Sequence, residues 1–327
     1  MNIQVFKKLL QQELITEEAF NIQQQQQQHQ PVSVHWDLRT LLYLGIVLLT
    51  TALGILVYKN IDTIGHQVII IVIAVICVGC FAYCFRKAKG YSKAKAESPN
   101  ILFDYVLLLG CLLLLTFIGY IQYEYNVFGN RWGLALFIPM VVLFITAYYF
   151  DHLGVLSIAI TNLAAWLGIT VTPVQILQTN DFGDERIIYT GLVLGAGLIA
   201  ISFLTARRNI KPHFAFTYKN FGTHVLFISL LAALFYFENI YFVWFLMLAA
   251  VSALFFKLAI KERSFYFLVI TVLYAYIGLC YVVVELLSLM SGMGPVYLGI
   301  IYFIVSGIGL IRLLIHYNKK LKHDTGV

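Results

Sequence analysis

Charge is what this chain has least of. Asp, Glu, Lys and Arg make up 12% of its 327 residues, and 61% are hydrophobic; soluble domains carry roughly twice that share of charge. Cysteine is scarce as well. The five, Cys77, Cys80, Cys84, Cys111 and Cys280, all lie in apolar runs, which excludes an extracellular disulfide framework. There is no GxSxG, no Walker loop, no dinucleotide fingerprint and no HExxH, and the eight histidines are scattered. Neither a catalytic site nor a bound cofactor or metal is expected. No expected span has an acid at its centre: Asp104, Lys257, Glu285 and Arg312 fall near span ends, where long basic side chains snorkel to the headgroups. The ten-residue alternating segments of a β-barrel are missing. So is a cleavable signal peptide: the first forty residues are polar, and the first apolar run, near Leu41, is expected to act as its own insertion signal.

What is present is hydrophobicity in blocks. About 20 apolar residues at 1.5 Å rise cross a ~30 Å hydrocarbon core. In lipid each segment must satisfy its own backbone, so even the β-branched run from Val68 to Ile76 reads as helix. The fold class is all-α, a polytopic transmembrane bundle. Ten spans are expected: Leu41–Tyr58, Val68–Phe85, Ile101–Ile121, Gly133–Phe150, Leu153–Thr172, Ile187–Thr205, Gly222–Phe237, Ile240–Ile260, Phe265–Leu287 and Val296–Ile315. The run 133–172 is broken only by Asp151-His152. As one helix it would be about 60 Å long, so it must fold back there. Glu238-Asn239 breaks 222–260 in the same way.

Residues 1–36 read as a separate head: two short helices, Val5–Leu14 and Glu17–Gln27, then a glutamine-rich linker ended by Pro31. Thr16 reads as the N-cap of the second helix, with Glu17 and Glu18 in its first turn. Residues 37–316 form the bundle and 317–327 a basic tail.

The cations sort by side. Arg86, Lys87, Lys89, Lys93 and Lys95 lie between two apolar runs, and such a cluster resists translocation. With the spans above, 19 of the 22 Lys and Arg fall on one side, and only Lys59, Arg131 and Arg186 on the other. The rule predicts that the rich side, with both termini, is cytoplasmic. The net charge of +6 is therefore mostly topogenic and points to no nucleic-acid partner. Trp36, Trp132 and Trp244 fall at span ends, as interfacial anchors do.

Mid-span polarity is neutral: Thr50, Thr51, Thr116, Thr161, Asn162, Tyr274, Tyr276 and Ser306. These residues either line a substrate cavity or form interhelical hydrogen bonds, the simpler reading because every bundle needs some. Gly191 and Gly195 have the spacing of close helix contact, within the bundle or across a dimer. Cys77, Cys80 and Cys84 share one helix face, suited to a soft ion or, more simply, to small-residue packing. Asp151-His152 reads as an acid–base pair or as a tight turn in which Asp151 caps the following helix. A five-plus-five inverted repeat is disfavoured by unequal loops.

The pattern Leu10-x-x-Glu13-Leu14-Ile15-Thr16-Glu17-Glu18-Ala19-x-x-Ile22, followed by a polar spacer and many spans, resembles the bacterial membrane-protein family known as domain of unknown function 2157. The likeness covers about residues 5–150. In this chain Glu13 stands where the family usually has Gly or a similar residue. The resemblance implies a bacterial inner-membrane protein with a short cytosolic hairpin, and brings no catalytic or binding residues. The functional expectation is a non-enzymatic scaffold or accessory protein whose residues 1–30 meet a cytosolic partner. The alternative is a permease for an uncharged or lipid-like solute.

Overall fold

The computed structural model describes residues 35–59, 65–88, 90–96, 98–171 and 185–323. The expected head before residue 35 and the last residues of the tail lie outside them. Within them run ten long helices: α1 (His35–Lys59), α2 (His66–Lys87), α3 (Ile101–Tyr125), α4 (Trp132–Phe150), α5 (Leu153–Val171), α6 (Glu185–Arg208), α7 (Phe214–Tyr236), α8 (Tyr241–Lys261), α9 (Phe265–Ser288) and α10 (Gly294–His323). A single 3-10 turn, Glu238–Ile240, joins α7 to α8, and no strand occurs among the described residues. Among the described residues, nine helices are long and apolar enough to cross a bilayer. The tenth, α1, has a shorter apolar stretch, Thr40–Leu56.

Local chemistry sets the ends. Asn100 caps α3 by accepting from the Phe103 N–H at 2.7 Å, and Ser264 caps α9 through the Phe267 N–H. At the far end of α3, Asn126 adopts the left-handed conformation, and Gln122 pins the following turn by donating to the Gly129 carbonyl at 2.9 Å and accepting from the Phe128 N–H at 2.9 Å. Both tight breaks expected from sequence fold the chain back on itself, at Asp151-His152 and at Glu238-Asn239.

Consecutive helices pair as α2–α3, α4–α5, α6–α7 and α8–α9, and the α6–α7 contact is the most extensive. It rests on glycine: a Cβ on Gly195 would lie 2.6 Å from the Leu226 nitrogen, and one on Gly222 would lie 3.0 Å from the Gly195 carbonyl oxygen. The Gly191/Gly195 spacing thus serves close approach within the bundle. α7 is the hub, touching α5, α6, α8 and α9, whereas α1 packs on α3 and α10 on α9. One core joins Cys84, Leu107, Leu143, Leu156, Leu198 and Phe214 from six helices, α2 to α7. A second surrounds Phe227, Leu234 and Leu248 on α7 and α8. Cys77, Cys80 and Cys84 are buried against α3, with the Cys77 thiol directed at the Gly110 carbonyl.

The turns α2–α3, α4–α5, α6–α7 and α8–α9 gather at one end of the bundle, together with the end of α10. There the Lys211 N–H donates to the Lys93 carbonyl, Lys219 pairs with Glu262, and Leu321 packs with Ala259 and Leu268. This end carries most of the cations and is called the basic face below.

Two expectations are corrected. The helix that carries the seventh span begins at Phe214, a full two turns before Gly222. Lys219 and Asn220 read as loop, yet Lys219 is buried, its ammonium held by Glu262 and lying 4.7 Å from the Phe267 ring centroid. Trp244 is not an interfacial anchor: it is buried, stacked on Phe237 with centroids 5.5 Å apart.

Candidate functional site

The densest buried charge lies at the basic face, around Asp151. The left-handed turn at this residue (φ 60°) ends α4 and starts α5. In that conformation its carboxylate leaves the helix pair and turns to two other loops. Oδ2 accepts from the Ala96 N–H at 2.5 Å, in the α2–α3 loop. Oδ1 meets Lys211 Nζ at 3.0 Å and His213 Nε2 at 2.7 Å, both in the α6–α7 loop. The side chain of Asp151 is 1% exposed and that of Lys211 0%. Lys211 is itself in the left-handed region (φ 52°), as is Asn209 (φ 53°). Such conformations cost a non-glycine residue about 1–3 kcal/mol and persist only when the surroundings over-determine them. Here the surroundings are the Lys93 carbonyl on the Lys211 N–H at 2.9 Å, the Asp151 carboxylate on its ammonium and the Tyr91 ring at 5.5 Å.

The expected role of Asp151 as cap of the following helix is therefore wrong. His152 caps α5 instead, its Nδ1 accepting from the Val155 N–H at 3.1 Å. The reason is geometric. At φ 60° the carboxylate points away from the first turn of α5, and the next residue is left facing it. Below the joint, Phe214 is fully buried against the edge of the Tyr148 ring, and the Tyr148 and Tyr218 hydroxyls meet at 3.1 Å. Three loops far apart in sequence are thus tied at one carboxylate, and breaking such a buried pair costs about 3–5 kcal/mol.

The eight mid-span polar residues do not converge. Thr50 and Thr51 donate to carbonyls of Ile46 and Val47 in their own helix. Thr116 bonds the Leu112 carbonyl and Thr161 that of Ser157, again within one helix. Asn162 crosses from α5 to α4, donating to the Leu136 carbonyl at 3.0 Å. That carbonyl lies one turn before Pro139, which removes a donor from α4 and crowds the preceding turn. Tyr276 meets Ser306 at 3.0 Å, joining α9 to α10. Tyr274 meets His224 Nδ1 at 2.9 Å, joining α9 to α7.

His224 has no counterpart among the expected site residues. With α7 starting at Phe214, it falls at the middle of a 23-residue helix. A start at Gly222 hides that position. A 3.6-residue apolar period carried back through Phe214 and Tyr218 is the signal that would have found it.

An apolar groove of about 540 Å³ lies between α5 and α6, lined by Leu163, Leu167, Val171, Tyr189, Val193 and Gly197 among others. None of the eight mid-span polar residues lines it.

The nine apolar helices among the described residues define a multi-pass membrane protein. Over residues 7–156 the chain matches the family described as "Predicted membrane protein (DUF2157)", so the likeness carried by the Leu-Ile-Thr-Glu-Glu-Ala stretch holds from the head into α5. No curated protein and no solved structure matches the chain.

Proposed function

We propose that the protein is a non-enzymatic membrane scaffold or accessory subunit, with its basic face and both termini in the cytoplasm of a bacterial cell and its spans in the inner membrane. The observation that carries this reading is the Asp151 joint. It fixes the α2–α3, α4–α5 and α6–α7 loops to one another, which gives a rigid surface on the side where α1 begins. A cytosolic protein held by that head would meet an ordered platform. The mid-span polar residues support the same reading. The four threonines are bonded within their own helices, and Asn162, Tyr274, Tyr276 and Ser306 each bond one neighbouring helix, as interhelical attachment requires.

The test is deletion of residues 1–35 from the tagged protein, followed by purification from mild detergent. The scaffold reading expects normal membrane insertion with loss of a stoichiometric partner. Retention of every partner, or solute flux in vesicles that survives the deletion, contradicts it. The groove between α5 and α6 favours a second reading, passage of a lipid-like solute along the bilayer-facing surface. Under that reading Gly197→Phe, at a position where a new Cβ meets nothing within 4 Å, blocks flux without unfolding the protein.

A further inference from the structure

α10 is the longest of the described helices, 30 residues from Gly294 to His323. At 1.5 Å rise it spans about 45 Å, about 15 Å more than a ~30 Å hydrocarbon core. Val296–Ile315 is long enough to fill that core, and its only charged residue is Arg312, close to its end. From His316 on the helix is too polar for hydrocarbon: His316, Asn318, Lys319 and Lys320 follow in quick succession. These last turns therefore stand among the headgroups, which Arg312 reaches by snorkelling.

The helix has two faces here. Leu314, Tyr317 and Leu321, spaced i, i+3, i+7, pack with Phe256 and Ala259 of α8 and Leu268 of α9. The Tyr317 ring meets the Phe256 ring edge-on, with centroids 5.1 Å apart. Arg312, His316 and Lys319, spaced i, i+4, i+7, lie on the opposite side with Lys320 at its margin, and all four are exposed. Ile301, Val305 and Ile308 precede them on that same side and are exposed as well. One line along the helix is thus apolar for about 10 Å and then basic. No acid answers it: among the described residues α8 and α10 contain no Asp or Glu, and Glu285, the one acid of α9, is at its other end. The acids at the basic face are already taken, Asp104 by Ser98, Asp151 by Lys211 and His213, and Glu262 by Lys219.

We propose that this face of α10 binds an anionic phospholipid, with the phosphate among Arg312, His316, Lys319 and Lys320 and an acyl chain along Ile308, Val305 and Ile301. Clusters of Lys and Arg just beyond a membrane span attract anionic headgroups. A free phosphate or a cytosolic protein would use the basic residues but not the apolar line that runs from them into the bilayer. The packing of Leu314, Tyr317 and Leu321 keeps that line turned outward, toward lipid. The site is independent of the scaffold reading, because none of its residues belongs to the head or to the Asp151 joint.

The experiment is native mass spectrometry of the full chain in mild detergent, titrated with phosphatidylglycerol or with phosphatidylcholine of the same acyl chains. The expected result is that the first phosphatidylglycerol binds tighter than the first phosphatidylcholine by about fivefold or more, the share of one cation at a membrane surface. Lys319→Gln combined with Lys320→Gln removes that preference, and Lys319→Arg combined with Lys320→Arg keeps it. Arg207→Gln combined with Arg208→Gln makes the same charge change at the exposed end of α6 and keeps it too. Excess glycerol 3-phosphate does not displace the bound lipid. Equal affinity for the two lipids overturns the proposal. So does an equal loss in the two glutamine pairs, which would make the preference a matter of net charge. Displacement by glycerol 3-phosphate would mean a site for free phosphate esters. A Lys319→Gln, Lys320→Gln protein that keeps its lipid but sheds a co-purifying protein would mean a protein-binding surface. Either result contradicts the lipid site.

Discussion

α7 and α10 are both membrane-length helices, and they stand at opposite extremes of the bundle. α7 is the least apolar of the nine crossing candidates, and more than half of its most apolar stretch is buried. α10 is far more apolar, and none of its most apolar stretch is buried. In water the order would be reversed. In lipid an apolar helix loses nothing by facing outward, whereas a polar group must find a protein partner. The polarity of α7 accordingly marks contact: Lys219 with Glu262, Thr223 with its own Lys219 carbonyl, and His224 with Tyr274. The outward face of α10 is almost entirely Val, Ile, Leu and Phe, and its polar contacts are the few that reach α9. Inside a bilayer, polarity locates the centre of the assembly.

The contrast gives a graded set of predictions. The largest effect is expected at the hub's basic end. Lys211→Met strands the Asp151 carboxylate and should lower stability by about 3–5 kcal/mol, read by thermal or detergent unfolding. Next is the α6–α7 contact. Gly195→Val must push a side chain into the Leu226 backbone and should cost about 1–3 kcal/mol. Gly197→Val, two residues on and facing open space, should stay within about 0.5 kcal/mol. If the two glycines respond alike, glycine content and not close approach explains α6. Asn162→Leu releases the Leu136 carbonyl beside Pro139 and should cost about 0.6–2 kcal/mol. The smallest effect is expected at the rim, where Ser306→Ala removes one half-buried bond between α9 and α10 and should cost about 0.6 kcal/mol. A loss at Ser306 equal to that at Lys211 would dissolve the distinction between hub and rim.

Much of the architecture was legible because lipid imposes a simple grammar. Block hydrophobicity gave the helices, the ~30 Å core forced the folds at Asp151 and Glu238, and a glycine pair four residues apart announced the tightest contact. The misses share a cause. Lys219 and Asn220 looked like loop because their neutralising partners, Glu262 and Tyr266, come some forty residues later. The start of α7, and with it the place of His224 within the helix, slipped for that reason. Asp151 resembled a local cap because its partners, Ala96, Lys211 and His213, lie fifty-five to sixty-two residues away. No periodicity in the chain records a pairing between loops. Trp244 misled in the opposite way: a tryptophan at a span end reads as an anchor, and only packing reveals that Phe237 covers it.

The claim on which the account rests most heavily is that one carboxylate fastens three loops of the basic face through Lys211. A double-mutant cycle on the intact protein in mild detergent tests it directly. The account predicts that Asp151→Asn and Lys211→Met are each strongly destabilising alone, and that the pair together costs clearly less than their sum, because neither buried charge is then left unmatched. Strict additivity of the two losses would contradict it.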